Sequence, residues 1–236
     1  MIKRLVVNGD SYMRTYVLGN GHRDLAQKLL IKEYTDLSKN GCCNSRILRT
    51  TIRHSYEIED SCFYLVGLTF VHRKELAVLD YRDQFEGRWI TFMEGLNFKR
   101  GWCWPWSEQD SRDYVNLTTK QHEISLLDES QDLMYRCLAV AKDLQSRGHK
   151  ILFFQQADAH FHDILIDPSL KLFENPDLFV DGLKWLAIPW QIQQGANTLP
   201  GDLDNNVPEN MRHIVPGDHV YINDYLENYI TQSDIL

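Results

Sequence analysis

Leu5-Val6-Val7-Asn8-Gly9-Asp10-Ser11 is a short apolar run closed by a turn and a serine. A leucine and two valines with no polar alternation fit a strand buried on both faces, the habit of a parallel sheet. Asn8, Gly9 and Asp10 supply the tight turn that ends it. A serine placed there meets the edge where open α/β sheets bind ligands. Glycine permits the sharp bend, and backbone N–H groups behind the serine can hold a developing oxyanion.

Outward from this stretch, strand and helix patterns alternate. Residues 22–31 place Leu25, Ala26, Leu29 and Leu30 at helical spacing, as in the crossover of a βαβ unit. Tyr34–Leu37 reads as a weak second strand, and residues 44–55 resume a helical pattern through Ile47, Leu48 and Ile52. Cys62–Leu68 is a strong third strand. Residues 126–147 predict a long helix stopped by Gly148, and Lys150–Phe154 a fourth strand. Residues 176–200 fit a fifth strand or a short helix around Trp185 to Trp190. A last helix opens at Pro216-Gly217-Asp218, with Val220, Ile222, Tyr225, Leu226, Tyr229 and Ile230 largely at helical spacing. Strands separated by helices demand a parallel sheet, so the class is α/β. Residues 80–125 hold Trp89, Trp102, Trp104 and Trp106 without a sustained period, and read as an aromatic-rich insertion or lid in one domain spanning 1–236.

Composition narrows the function. The 236-residue chain carries a net charge of −8 and no long basic run, which argues against nucleic-acid binding. No apolar stretch approaches the ~18 residues of a membrane span, and no signal peptide is visible, so a cytoplasmic location is expected. Five cysteines without a C-x-x-C pair suit a reducing compartment and make a structural zinc knot a poor fit. No cofactor or metal is expected.

Near the other end, Arg212-His213-Ile214-Val215-Pro216-Gly217-Asp218-His219 precedes the last helix. A histidine in that loop can reach back to the end of the first strand, and a neutral imidazole can take a serine proton near pH 7. Taken with it, Val7-Asn8-Gly9-Asp10-Ser11 resembles the first block of the SGNH (GDSL-like) hydrolases. Gly41, within Asn40-Gly41-Cys42-Cys43-Asn44, falls where that family's second block has its oxyanion glycine. Gly67-Leu68-Thr69 falls at the third block, and His213 with His219 resembles the fifth. The blocks run in order along nearly the whole chain, residues 80–125 excepted. The chain also resembles SGNH-like proteins encoded by tailed phages, and with that resemblance a viral origin is expected.

The resemblance implies a three-layer flavodoxin-like SGNH fold around a central parallel sheet. It also implies a serine esterase or deacetylase that works through an acyl-enzyme. Ser11 is then the nucleophile and His213 its base. The backbone of Ser11 and of Gly41, with Thr69, forms the oxyanion hole. O-acylated carbohydrate or another small-molecule ester is the implied substrate. Two positions depart from the family pattern. Thr69 replaces the third-block asparagine, and Asn210 stands where the triad acid precedes the histidine. An amide orients an imidazole but gives no charge to an imidazolium. Glu209, Asp204 or Asp202 are alternative acids, a serine–histidine dyad without an acid is the other alternative, and Asn44 is an alternative amide donor. The same departures support a rival expectation, a catalytically degenerate SGNH-fold protein that binds glycan or belongs to a virion.

Other residues carry weaker readings. Arg73 and Glu75 either orient the active-site loop, contact substrate, or are solvated charges. In Asp158-Ala159-His160-Phe161-His162-Asp163 the polar-loop reading is preferred to a metal site because no third ligand is fixed, with His160 kept as a substrate contact. Trp102, Trp104 and Trp106 form a stacking wall or pack locally. Asp10 is read as structural, and Cys42 and Cys43 as small buried residues.

Overall fold

The apolar run Arg4–Asn8 forms strand β1, an inner strand of a four-stranded sheet. The computed structural model describes residues 2–39, 42–69, 74–78, 88–92, 126–155, 178 and 219–236. After β1 come α1 (Ser11–Leu18), α2 (Gly21–Lys28), β2 (Glu33–Asp36), α3 (Asn44–Glu57) and β3 (Cys62–Leu68). Then follow β4 (Lys74–Val78), β5 (Arg88–Phe92), α4 (Leu126–Ser146), β6 (Lys150–Gln155) and α5 (His219–Gln232).

The main sheet has the order β2-β1-β3-β6, with every pair parallel. Side chains alternate across it, as a pleated strand requires. Val6, Tyr64, Val66, Ile151 and Phe153 pack with α3 and α4 in one core layer. Leu5, Val7, Phe63, Leu65, Leu152 and Phe154 pack with α1, α2 and α5 in the other. The result is a helix–sheet–helix sandwich, which explains why the inner strands are apolar at successive positions. Each such leucine, valine or phenylalanine contributes about 1.5–3 kcal/mol by leaving water.

Helix ends follow local chemistry. Gly148, at φ 78, ends α4, with the His149 N–H bonded to Leu144 and the Gly148 N–H to Gln145. This paired closure is the Schellman arrangement, and it favours glycine at the left-handed position. The same closure ends α2, through Ile31 N–H to Ala26 and Leu30 N–H to Gln27. There the left-handed residue is Leu30, at φ 57.

That closure corrects one expectation. Leu30 was placed on the buried stripe of a helix over 22–31, but α2 stops at Lys28 and Leu30 is 89% exposed. Val220 is likewise exposed, whereas Ile222, Leu226 and Ile230 carry the buried face of α5. The antiparallel pair β4–β5 was not expected. β4 precedes the anticipated insertion and contains Glu75; β5 lies within the insertion. Of residues 176–200 only Leu178 is described, and its carbonyl accepts the Phe153 N–H on β6 at 2.7 Å. Among the described residues no helix is long and apolar enough to cross a membrane.

Candidate active site at the carboxyl edge of the sheet

β1 is flanked by β2 on one side and β3 on the other; the crossover from β1 to β2 covers one face through α1 and α2, and that from β2 to β3 covers the opposite face through α3. The carboxyl ends of β1 and β3 are therefore a topological switch point, where sheets of this order bind ligands. Ser11 begins α1 directly beyond β1, with the first helical bond running from the Arg14 N–H to the Asp10 carbonyl at 2.9 Å. The backbone thus puts Ser11 at a strand-to-helix turn, with helix amides behind it.

Side chains around the turn form a connected hydrogen-bond system. Asn8 is fully buried, and its amide donates to the Ile47 carbonyl and to the Thr50 and Thr51 hydroxyls, each at 2.9 Å. Its Oδ1 accepts the Gly9 N–H at 2.9 Å. The Gly9 carbonyl accepts the Lys39 N–H at 3.0 Å and the Cys42 thiol at 3.2 Å. The β1 turn is thereby tied to α3 and to the chain after β2. The bonds of the Asn8 side chain and of the Cys42 thiol are buried or part-buried, so a missing partner there would cost desolvation that water could not offset.

Thr69 follows β3 at the same edge and is 1% exposed. Its hydroxyl donates to Asp10 Oδ2 at 2.6 Å. Asn44, the first residue of α3, grips the Thr69 backbone from both sides. Its Oδ1 accepts the Thr69 N–H at 2.8 Å and its Nδ2 donates to the Thr69 carbonyl at 2.9 Å. Of the residues anticipated at the site, Ser11, Asn44 and Thr69 are thus brought to one edge by their elements. Asp10 joins them in the structural role read from the sequence. Cys42 and Cys43 are buried and free of disulfides, in line with their reading as small buried residues. Gly41, Arg73, His160, Asn210 and His213 lie outside the described residues, as do Asp158, His162, Trp102, Trp104 and Trp106. His219 is the first residue of α5, and its Nε2 meets Asp24 Oδ2 of α2 at 3.0 Å.

A feature missed in the sequence adjoins this edge. A groove of about 920 Å³ runs between the end of β2 and the flank of α3. Arg14, Lys39, Arg46 and Arg53 line it, together with Asp36 and Glu57. Arg14 pairs with Asp36, and Arg53 pairs with Glu57 at 2.8 Å. Lys39 and Arg46 pair with no carboxylate among the described residues, and the buried Nη1 of Arg46 has no hydrogen-bond partner. A local positive surplus on a chain of net charge −8 is invisible to composition. Its one sequence signal is the spacing of Arg46 and Arg53, about two helical turns apart along α3.

The chain is similar in fold to a solved structure. It superposes on the crystal structure of TesA with a TM-score of 0.50 at 9% identity, covering 98% of this chain and 99% of that one. The crystal structure of the psychrotrophic esterase EstA from Pseudoalteromonas sp., inhibited by monoethylphosphonate, gives 0.48 at 10% identity, covering 98% and 97%. No family model and no curated protein matches the sequence. At 9% identity the likeness to TesA is one of fold, and that fold is the three-layer α/β arrangement around a parallel sheet that the sequence resemblance implied.

Proposed function

We propose that the chain is a serine-dependent ester hydrolase acting on small-molecule or carbohydrate esters. The observation that carries this reading is the backbone at the switch point: β1 ends at Asn8 and α1 begins at Ser11. Ser11 Oγ attacks the ester carbonyl while His213 takes the hydroxyl proton. The tetrahedral intermediate collapses, and the leaving alkoxide receives that proton from His213. Water, with His213 again as base, then cleaves the acyl-Ser11 ester and frees the acid. Asn210 orients the imidazole in this scheme without lending it charge.

The oxyanion faces the backbone N–H groups of Ser11 and Gly41. Thr69 already gives its one hydroxyl proton to Asp10, so it reaches an oxyanion only by leaving that bond. The backbone amides therefore bear most of the load, and Asn44 serves by fixing the Thr69 backbone. Loss of one oxyanion donor costs about 10²–10³ in rate in known hydrolases, so a slow enzyme is expected. Arg73 and His160 are proposed substrate contacts.

The test is hydrolysis of p-nitrophenyl acetate by the wild type, Ser11→Ala and His213→Ala. Turnover that depends on both residues supports the reading, and full turnover by Ser11→Ala ends it. The commitment of the Thr69 and Asn44 side chains favours a second reading, a hydrolase fold retained for glycan binding or as a virion component. Saturable oligosaccharide binding without turnover of any acyl length supports that reading.

A further inference from the structure

The groove beside α3 carries a local surplus of positive charge. It gathers four cationic side chains from three segments, namely Arg14 of α1, Lys39 after β2, and Arg46 and Arg53 of α3. Two of the four are neutralised by Asp36 and Glu57. The remaining two, Lys39 and Arg46, have no acidic partner among the described residues. Arg46 is the more telling. The side chain is half-buried, and its Nη1 is shut off from solvent with no acceptor, so that nitrogen has lost water without gaining a counter-charge. A bound oxyanion supplies that charge, and the planar guanidinium fork suits carboxylate or phosphate.

The groove is also tied to the candidate active site. Arg14 lies one helical turn after Ser11. The Lys39 N–H is bonded to the Gly9 carbonyl. Thr50, on the groove wall, accepts from Asn8 at the end of β1.

We propose that this groove seats an anionic group of the ester substrate, a carboxylate or a phosphate, between Lys39 and Arg46. The proposal rests on the esterase reading and adds a charge to its substrate class. The anion stays outside the reaction and positions the ester along the β1–α3 side of the edge.

The full chain is titrated calorimetrically with inorganic phosphate and, separately, with glutarate. One of the two is expected to bind with a stoichiometry of one. Lys39→Gln and Arg46→Gln are each expected to weaken that binding about tenfold, the scale of one charge-assisted hydrogen bond. Arg23→Gln, on the exposed side of α2, leaves it unchanged. The bound anion should also inhibit hydrolysis of mono-4-nitrophenyl glutarate more strongly than that of 4-nitrophenyl butyrate. Absence of saturable binding by either anion, or equal binding in folded variants with unaltered urea midpoints, overturns the groove assignment. Equal inhibition of the two esters overturns its link to substrate. Binding is read without turnover, so a chain that binds the anion but cleaves no ester contradicts the esterase reading alone.

Discussion

Thr69 Oγ1 and Asp10 Oδ2 lie 2.6 Å apart, joining the carboxyl ends of β3 and β1 through one buried hydrogen bond. Asp10 is 0% exposed, so its carboxylate depends on protein donors. Thr69→Val keeps the shape and removes the donor. The expected result is a loss of about 1–3 kcal/mol in urea unfolding, with Thr69→Ser retaining most of the stability. Equal stability of Thr69→Val and wild type contradicts the structural role of this bond.

Asn44 satisfies both backbone groups of Thr69, so Asn44→Ala strands a buried donor and a buried acceptor together. It should destabilise the fold at least as much as Thr69→Val, again by about 1–3 kcal/mol per group. Because the clamp fixes the end of β3, kcat of any ester hydrolysis should fall with little change in KM. A change confined to KM argues for a direct substrate contact instead.

On the opposite face, Tyr16 donates to Asn223 Oδ1 at 2.6 Å, and Asn223 Nδ2 donates to the Gly21 carbonyl at 3.0 Å. A Cβ on Gly21 would stand 2.2 Å from a Tyr16 ring carbon. Gly21→Ala therefore forces the ring aside and disturbs the contact between α2 and α5. A cost of about 1–3 kcal/mol is expected for such overpacking, measured by chemical denaturation. An unchanged midpoint contradicts the packing described.

Stability should depend on pH through three histidines. Burial holds His22, His54 and His149 below the ordinary imidazole value of 6.5. The ring of His149 also accepts the Cys62 N–H at Nδ1, 3.2 Å away, a bond that protonation of that nitrogen breaks. The unfolded chain takes up protons near pH 6.5, whereas the folded chain resists until lower pH. Stability is thus greatest above about pH 6.5 and falls as the pH drops through that value toward the folded pKa. Urea midpoints from about pH 7.5 down to about pH 5.5 should decline, and His149→Gln should flatten part of the slope. A midpoint independent of pH over that range contradicts the assignment.

What the sequence disclosed follows from how local each signal is. β1, β3 and β6 were legible because strands buried on both faces must be apolar at successive positions, as Leu5–Val7 and Phe63–Val66 are. Gly148 marked the end of α4 because a left-handed residue there favours glycine. Leu30 misled because the same closure was made by a leucine, whose apolar side chain imitated the helical stripe. α1 was not read from the sequence as a helix over its length, although Met13, Tyr16 and Val17 keep the spacing of a buried face. At the site, Ser11 was marked by its place after a strand and a glycine turn. The Thr69–Asp10 bond and the Asn44 clamp join residues 59 and 25 positions apart, and no local pattern announces such pairs. The cationic groove was hidden for the same reason, since Arg14, Lys39 and Arg46 meet only once α1, β2 and α3 have packed.

The central claim is that the alcohol at the start of α1 is a nucleophile activated from the far end of the chain. A fluorophosphonate probe followed by peptide mass spectrometry reads this directly, because the probe bonds only to an activated hydroxyl. The account predicts one adduct, on Ser11, lost in Ser11→Ala and strongly slowed in His213→Ala. An adduct on another residue, or an unmodified Ser11 in protein that hydrolyses esters, would contradict it.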